Sequence, residues 1–381
     1  MIQKIIPVSR WTMYWEDELK YNITSLEQLR EYIDMSPDEE IEIAKVIKKH
    51  PMSITRYYMK LIVQNNTVSP VSRIVIPSCD ERDRLGSYDT SGEKLHTKFR
   101  GFQHKYPQTA LILATNRCAS YCRFCFRKRM VGLGNEEVLH RLDNASDYIR
   151  EHKEIDNVLI TGGDPLILPN SILREFIEKL LSIEHIDFIR FGTRIPVVLP
   201  SRIHSDREFL DMIDKYNSPS KKIYFVTHFN HPDEITEESS RAIAELIRRG
   251  SVISNQAVLL KGINDNPRVL AQLMKSLTRT GIVPYYIFQC RPVKHTGKRF
   301  QTTLKDGYEI AAKTNAMLNG HAKRFRYIMS HKIGKIEILA VEGNTIFLKQ
   351  HQVKDIKYAD KFYKKRLPDN ASWFDELEPI Q

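Results

Sequence analysis

The sequence predicts an α/β protein built on a partial or complete parallel barrel, with a helical segment before it and a small C-terminal extension after it. Two observations predict this. From Thr109 onward, short apolar or β-branched runs ("TALILAT", "NVLITGG", "IRFGTR", "KIYFVTHFN", "VISNQAVLL", "PYYIFQC") alternate with amphipathic stretches such as "PDEITEESSRAIAELIRRG". The chemically distinctive residues also sit where those runs end. A cysteine-rich loop follows the first run, and "TGGDP", "GTRIP", "THFNH" and "QCR" close later ones. Parallel α/β sheets gather functional residues at the C-terminal ends of their strands.

The elements follow in order. The region to about Thr67 reads as helical. "SLEQLREYIDM" opens with a capping box of Ser25 and Gln28, and "SPDEEIEIAKVIKKH" has Ser36 as N-cap, Pro37 at N1, acids in its first turn and lysines in its last. "PMSITRYYMKLI" suggests a further short helix. Residues 68–106 lack a sustained period and read as a long loop, which in a compact protein is either functional or mobile. We expect three segments: 1–106, helices and connecting loop; 107–330, the barrel core; and 331–381, an extension that includes a hairpin over "KIEILAVEGNTIFLKQH".

Composition narrows the function. The 381 residues are 41% hydrophobic and 28% charged, enough for a sizeable core. No run reaches the ~18 apolar residues of a membrane span. The N-terminus turns polar after six residues and offers no small-residue cleavage site, so a cytoplasmic protein is expected. A net charge of +11 favours phosphorylated cofactors or acidic partners. Outside "FRKRM" and "KFYKKRL" the basic residues are dispersed, as on a solvated surface rather than a nucleic-acid groove. Five cysteines without a secretion signal point to a reducing compartment and to metal chemistry, not to disulfides.

Three of those cysteines, Cys118, Cys122 and Cys125, form C-x3-C-x2-C in "TNRCASYCRFCFRKRMVG". A structural zinc site needs four ligands, and the fourth would have to be Cys79, Cys290 or a histidine. A [4Fe–4S] cube held by three thiolates instead keeps one iron open to a substrate. This motif, placed after a strand and followed one βα unit later by "TGGDP", resembles that of radical S-adenosylmethionine enzymes. The resemblance implies a radical-SAM barrel whose open iron chelates the amino and carboxylate groups of S-adenosylmethionine. Gly162, Gly163 and Asp164 fall at the strand end that binds this cofactor, and the missing Cβ atoms would permit close approach.

The motifs "CRFCFRKRMVG", "TGGDPLIL", "GTRIPVVLPSRI", "THFNHP", "NQAVLLKGIND", "PYYIFQC" and "GKIEI" together resemble the lysine 2,3-aminomutase family, from about Leu26 to Leu348. That family also uses pyridoxal 5′-phosphate. The resemblance makes Lys335 the Schiff-base lysine. The family's glycine run before it is reduced here to Gly334, which leaves Lys332 as a rival. It implies radical removal of a hydrogen from C3 of an amino acid held on pyridoxal, migration of the amino group from C2 to C3, and return of the hydrogen. Arg127 matches the arginine that grips the substrate α-carboxylate. His104 and Lys105 match a region that approaches the cofactor phosphate. His228 and His231 read as core or strand-end histidines. An electron donor such as flavodoxin or ferredoxin, and a homo-oligomer, are implied as well.

The chain departs from the lysine-specific pattern at two positions. Where those members carry aspartates for the distal ammonium, this sequence has Arg291 and Ile328. A buried ammonium without a counter-charge costs several kcal/mol, so free lysine is expected to be a poor substrate. Arg291 suits a side-chain carboxylate, and glutamate is the first expectation. Two alternatives stay open at this point: a radical enzyme of the same fold without pyridoxal phosphate, and a zinc module that binds nucleic acid.

Overall fold

A computed structural model describes residues 14–64, 67–134 and 136–380; most of the N-terminal stretch read for a targeting signal lies outside them. No helix among the described residues is long and apolar enough to cross a membrane. The helices Leu26–Arg30 and Pro37–Lys49 form where the caps predict, with Ser25 and Ser36 accepting from the backbone N–H groups of Gln28 and Glu39. Arg56–Ile62 follows, capped by Thr55. Then comes a short hairpin of β1 (Val63–Gln64) and β2 (Thr67–Val68).

The loop expected over residues 68–106 needs correction. It contains the short helices Ser72–Val75 and Glu93–His96, and two strands, β3 (Thr97–Phe99) and β4 (Phe102–Tyr106). The sequence "FQHKY" hides β4 because only Phe102 enters the apolar core, while Gln103, Lys105 and Tyr106 line the cavity and His104 bonds on the other face.

Seven strands run parallel in simple order. They are β5 (Thr109–Thr115), β6 (Asn157–Gly162), β7 (Phe188–Gly192), β8 (Lys222–Thr227), β9 (Val252–Leu259), β10 (Val283–Gln289) and β11 (Arg326–His331). β4 and β3 extend the sheet antiparallel beyond β5. Beyond β11 it continues antiparallel through β12 (Gly334–Glu342), β13 (Thr345–Val353), β14 (Phe362–Arg366) and β15 (Glu378–Pro379). One continuous sheet therefore runs through residues 106/107 and 330/331.

Strand periodicity separates core from site. Ile112, Val158, Ile160, Ile189 and Phe191 are fully buried and belong to the core shared with the amphipathic helices Asn170–Leu181, Arg207–Tyr216, Glu237–Arg248 and Pro267–Arg279. Their neighbours Leu111, Leu159, Thr161 and Arg190 face the other way and line a cavity. The sheet curls enough for β4 to approach β11: Lys105 Nζ donates to the His331 carbonyl at 2.7 Å. Ser87 bridges the same gap by backbone pairing with Pro292 and Lys294.

Candidate active site

The cysteines occupy the loop leaving β5, and the glycines at the end of β6 decide where that loop lies. Gly162 has φ +118, and a Cβ on it would meet the Thr115 carbonyl at 2.3 Å; one on Gly163 would meet the Arg117 carbonyl at 2.1 Å. Close approach permits two hydrogen bonds, Gly163 N–H to Thr115 O at 2.6 Å and Asp164 N–H to Arg117 O at 2.8 Å. What these glycines admit in the structure is the cysteine loop itself. Gly163→Ala is expected to displace the loop and lose most of the reconstituted iron, as iron and sulfide analysis of the purified protein would show.

Asp164 lines the cavity, yet its oxygens are engaged by the Thr193 hydroxyl (2.7 Å), the Arg194 N–H (2.6 Å) and the Leu166 N–H (3.1 Å). It joins the ends of β6 and β7. Burial pushes its carboxyl up against the pull of those hydrogen bonds.

Cys118, Cys122 and Cys125 are free thiols at one end of the cavity. Burial raises all three, Cys125 to about 11, and repulsion from the neighbouring cysteines adds to it at Cys118 and Cys125. A positively charged iron core would remove that penalty. Their spacing also bears on the metal. Sulfurs on one tetrahedral zinc, ~2.3 Å from the ion, sit about 3.8 Å apart. Among the described residues these three are not part of any set of ligand atoms lying within 4.8 Å of one another. The donor set and its spread fit a cluster better than a single ion. Arg194 Nη1 donates to Cys122 Sγ at 3.0 Å, while Nη2 is held by the Tyr58 hydroxyl (2.9 Å) and Glu234.

At the opposite end of the same cavity, of about 380 Å³, stands Lys335. The β11–β12 connection is a tight turn over Lys332 and Ile333 instead of a pliable glycine loop. Gly334 has φ +145, where a Cβ would meet the Gln352 carbonyl at 2.2 Å. This turn separates the two rival lysines. Lys332 is exposed and pairs with Asp375 at 3.5 Å. Lys335 points inward, donates to Gln352 Oε1, and sits 4.4 Å from the Tyr106 ring centroid and 5.9 Å from that of Tyr286. Burial first, then the charges of Arg190, Lys105 and Arg291, bring its amine down to about 7.

Lys105 lines this end too, with its amine lowered to about 8 chiefly by burial. Its neighbour His104 does not. It lies on the outer face of β4, bonded to the Tyr148 hydroxyl and the Pro107 carbonyl, which corrects the expectation that it approaches the cofactor phosphate. His228 reaches the cavity wall, held neutral by burial with its pKa at about 3. His231 instead caps the turn Pro232–Glu234.

Between the two ends lie the expected substrate arginines. Arg127 is buried against Glu93 (3.2 Å) and donates to the Thr161 hydroxyl at 3.4 Å. Glu93 also pairs with Arg129 at 2.6 Å. Arg291 donates through Nη2 to the Ser330 hydroxyl at 2.9 Å, while its buried Nη1 has no partner. Burial lowers Arg291 to about 10. Ile328 is fully buried; Ser330, two residues along the strand, takes the cavity position. Sequence reasoning missed Glu93, Arg190, Arg194, Gln352 and Ser330. For Arg194 a signal existed, since "GTRIP" marks a strand end.

Comparison with known proteins places this geometry. Residues 112–274 match the Radical SAM superfamily. A protein of Aquifex aeolicus is 39% identical over 92% of this chain and 94% of its own. The L-lysine 2,3-aminomutase of Clostridium subterminale is 37% identical over 78% of this chain and 70% of its own. The glutamate 2,3-aminomutase of Clostridioides difficile is 37% identical over 82% and 72%.

Proposed function

Because the chain belongs to the lysine 2,3-aminomutase family of radical S-adenosylmethionine enzymes, we propose that it is a pyridoxal-phosphate-dependent 2,3-aminomutase acting on an acidic amino acid, glutamate first. The class of enzyme, an isomerase using a [4Fe–4S] cluster and S-adenosylmethionine, follows from the family. The acidic substrate is carried by one observation: Arg291 stands in the cavity wall with a buried donor unpaired. An unsatisfied buried donor is unfavourable, and a carboxylate that meets it is selected for. A substrate ammonium at the same place meets repulsion.

When bound, the cluster and S-adenosylmethionine supply a hydrogen-abstracting radical, and pyridoxal phosphate supplies the aldehyde that captures the migrating nitrogen. The residues of the chain hold and orient these groups. Cys118, Cys122 and Cys125 hold the cluster, with Arg194 donating to one sulfur. Lys335, its amine brought down to about 7, holds the aldehyde. Lys105 and Arg190, whose buried Nε is unpartnered, place positive charge beside Lys335 for the phosphate. Arg127 and Arg291 orient the two substrate carboxylates. The rings of Tyr106, Phe124, Tyr286 and Phe288 line the cavity and, once substrate is bound, would help to exclude water.

An acidic one-electron donor, flavodoxin or ferredoxin, suits the net charge of +11, and we place the enzyme among homo-oligomers. Turnover of glutamate and lysine side by side by the reconstituted enzyme tests the substrate. Glutamate should lead in kcat/KM by at least about 100-fold, the scale of one mismatched buried charge. Robust rearrangement of lysine would overturn the reading.

A further inference from the structure

The two substrate arginines share one aromatic ring. Phe126 directly follows the cluster ligand Cys125 and lines the cavity. The Arg127 guanidinium carbon lies 4.5 Å from its ring centroid, and that of Arg291 lies 4.1 Å from it. The two cations reach this ring from different elements, Arg127 from the cysteine loop and Arg291 from the loop after β10. Their separation cannot exceed the two distances together. Two like charges this close repel in a buried site. Glu93 answers Arg127 directly, with an ion pair at 3.2 Å, but reaches Arg291 only through its field, and the hydrogen bond of Arg291 goes to the Ser330 hydroxyl. The π-face of Phe126 is the electron-rich surface in direct contact with the Arg291 guanidinium.

We propose that Phe126 is a specificity-positioning residue that fixes the spacing between the two carboxylate receptors and indexes both to the cluster. This rests on the acidic-substrate reading above. Its backbone is tied to the thiolate beside it, so the ring transmits the position of the cluster to both guanidiniums. A dicarboxylic amino acid would then be gripped at both ends, with C3 between the two receptors. A substrate with one carboxylate engages Arg127 and leaves Arg291 unanswered.

The test uses the reconstituted enzyme and two amino acids of like shape, glutamate and glutamine. In the wild type, glutamate should be preferred. Phe126→Leu should raise KM for glutamate roughly 30-fold, the scale of a desolvated cation–π contact, with a smaller change in kcat. The glutamate-over-glutamine preference should fall by a similar factor, and iron content and the cluster spectrum should not change. Phe126→Tyr, which keeps the ring, should restore both values. If Phe126→Leu keeps wild-type KM and preference, the role of Phe126 is overturned while the acidic substrate stands. If the wild type itself shows no preference for glutamate, both readings are overturned.

Discussion

Lys335→Ala is expected to lower turnover by at least about 10³-fold, the scale of removing a positioned reactive group, while iron and sulfide content stay at wild-type levels. The second half of that expectation makes the result specific, because Lys335 and the cysteines sit at opposite ends of one cavity. Borohydride reduction followed by peptide mass analysis should find the pyridoxyl adduct on Lys335 in the wild type and nowhere in the variant. An adduct on Lys332 would overturn the assignment; the structure opposes it, since Lys332 is exposed at the turn and faces Asp375. The pH dependence has a definite sign. Only the free amine attacks an aldehyde, and burial brings this amine down to about 7, so capture of pyridoxal phosphate should rise through pH ~7. For the cofactor-free protein, the folded state releases this proton at about 7 and the unfolded chain near 10.5. Between those values the unfolded chain binds more protons, so stability contributed by this group rises with pH across that window and is lowest below 7.

How much of this was legible in the sequence differs between scaffold and site. Six of the seven parallel strands were visible because each carries a short apolar run, while β11, "RYIMSH" with polar residues at both ends, was not; the cysteine spacing is a local signal that needs no tertiary information. Helix caps at Ser25 and Ser36 were legible for the same reason. β3 and β4 were not, since a strand that presents Gln103 and Lys105 to the cavity has no hydrophobic alternation to display. The glycines of "TGGDP" were legible as a place of close approach, but that they admit the backbone of the cysteine loop at Thr115 and Arg117 is a contact between two strand ends that only the fold creates. The choice between Lys332 and Lys335 also needed three dimensions, because a tight turn sends residues three apart to opposite environments. Glu93 and Glu81 lay in a polar stretch where sequence alone gives every acid the same standing.

Glu81 carries the second large effect. It follows Ser78, whose hydroxyl caps the short turn Cys79–Arg82, and its carboxylate is fully buried among three cations: Arg123 at 2.7 Å, Lys128 at 2.6 Å and Arg299 at 3.3 Å. Two of these belong to the cysteine loop, on either side of Cys125. Arg123 continues to the Pro51 and His50 carbonyls, and Lys128 to the Arg123 carbonyl. One carboxylate therefore fastens the cluster loop to the N-terminal helices and to the loop after β10. The cations hold Glu81 down at about 2. Shared three ways, the carboxylate compensates each cation only in part, and burial keeps Lys128 down at about 8. Removing one partner of a buried ion pair costs about 3–5 kcal/mol, because the charges left behind lose their compensation. Glu81→Ala should fall in that range by urea denaturation and should retain little iron. Glu81→Gln, which keeps the shape and removes the charge, should lie between it and the wild type. The pH sign follows from the lowered pKa: the contribution is fully present above pH 4.5, the ordinary carboxylate value, and is lost as pH falls toward 2. In the Ala variant that acid-side loss should shrink. A Glu81→Ala protein within about 0.5 kcal/mol of wild type, as a neutral surface change would be, would show that the cysteine loop is held by its other contacts, among them the backbone bonds to Gly163, Asp164, Ser53 and Ile74, and not by this carboxylate.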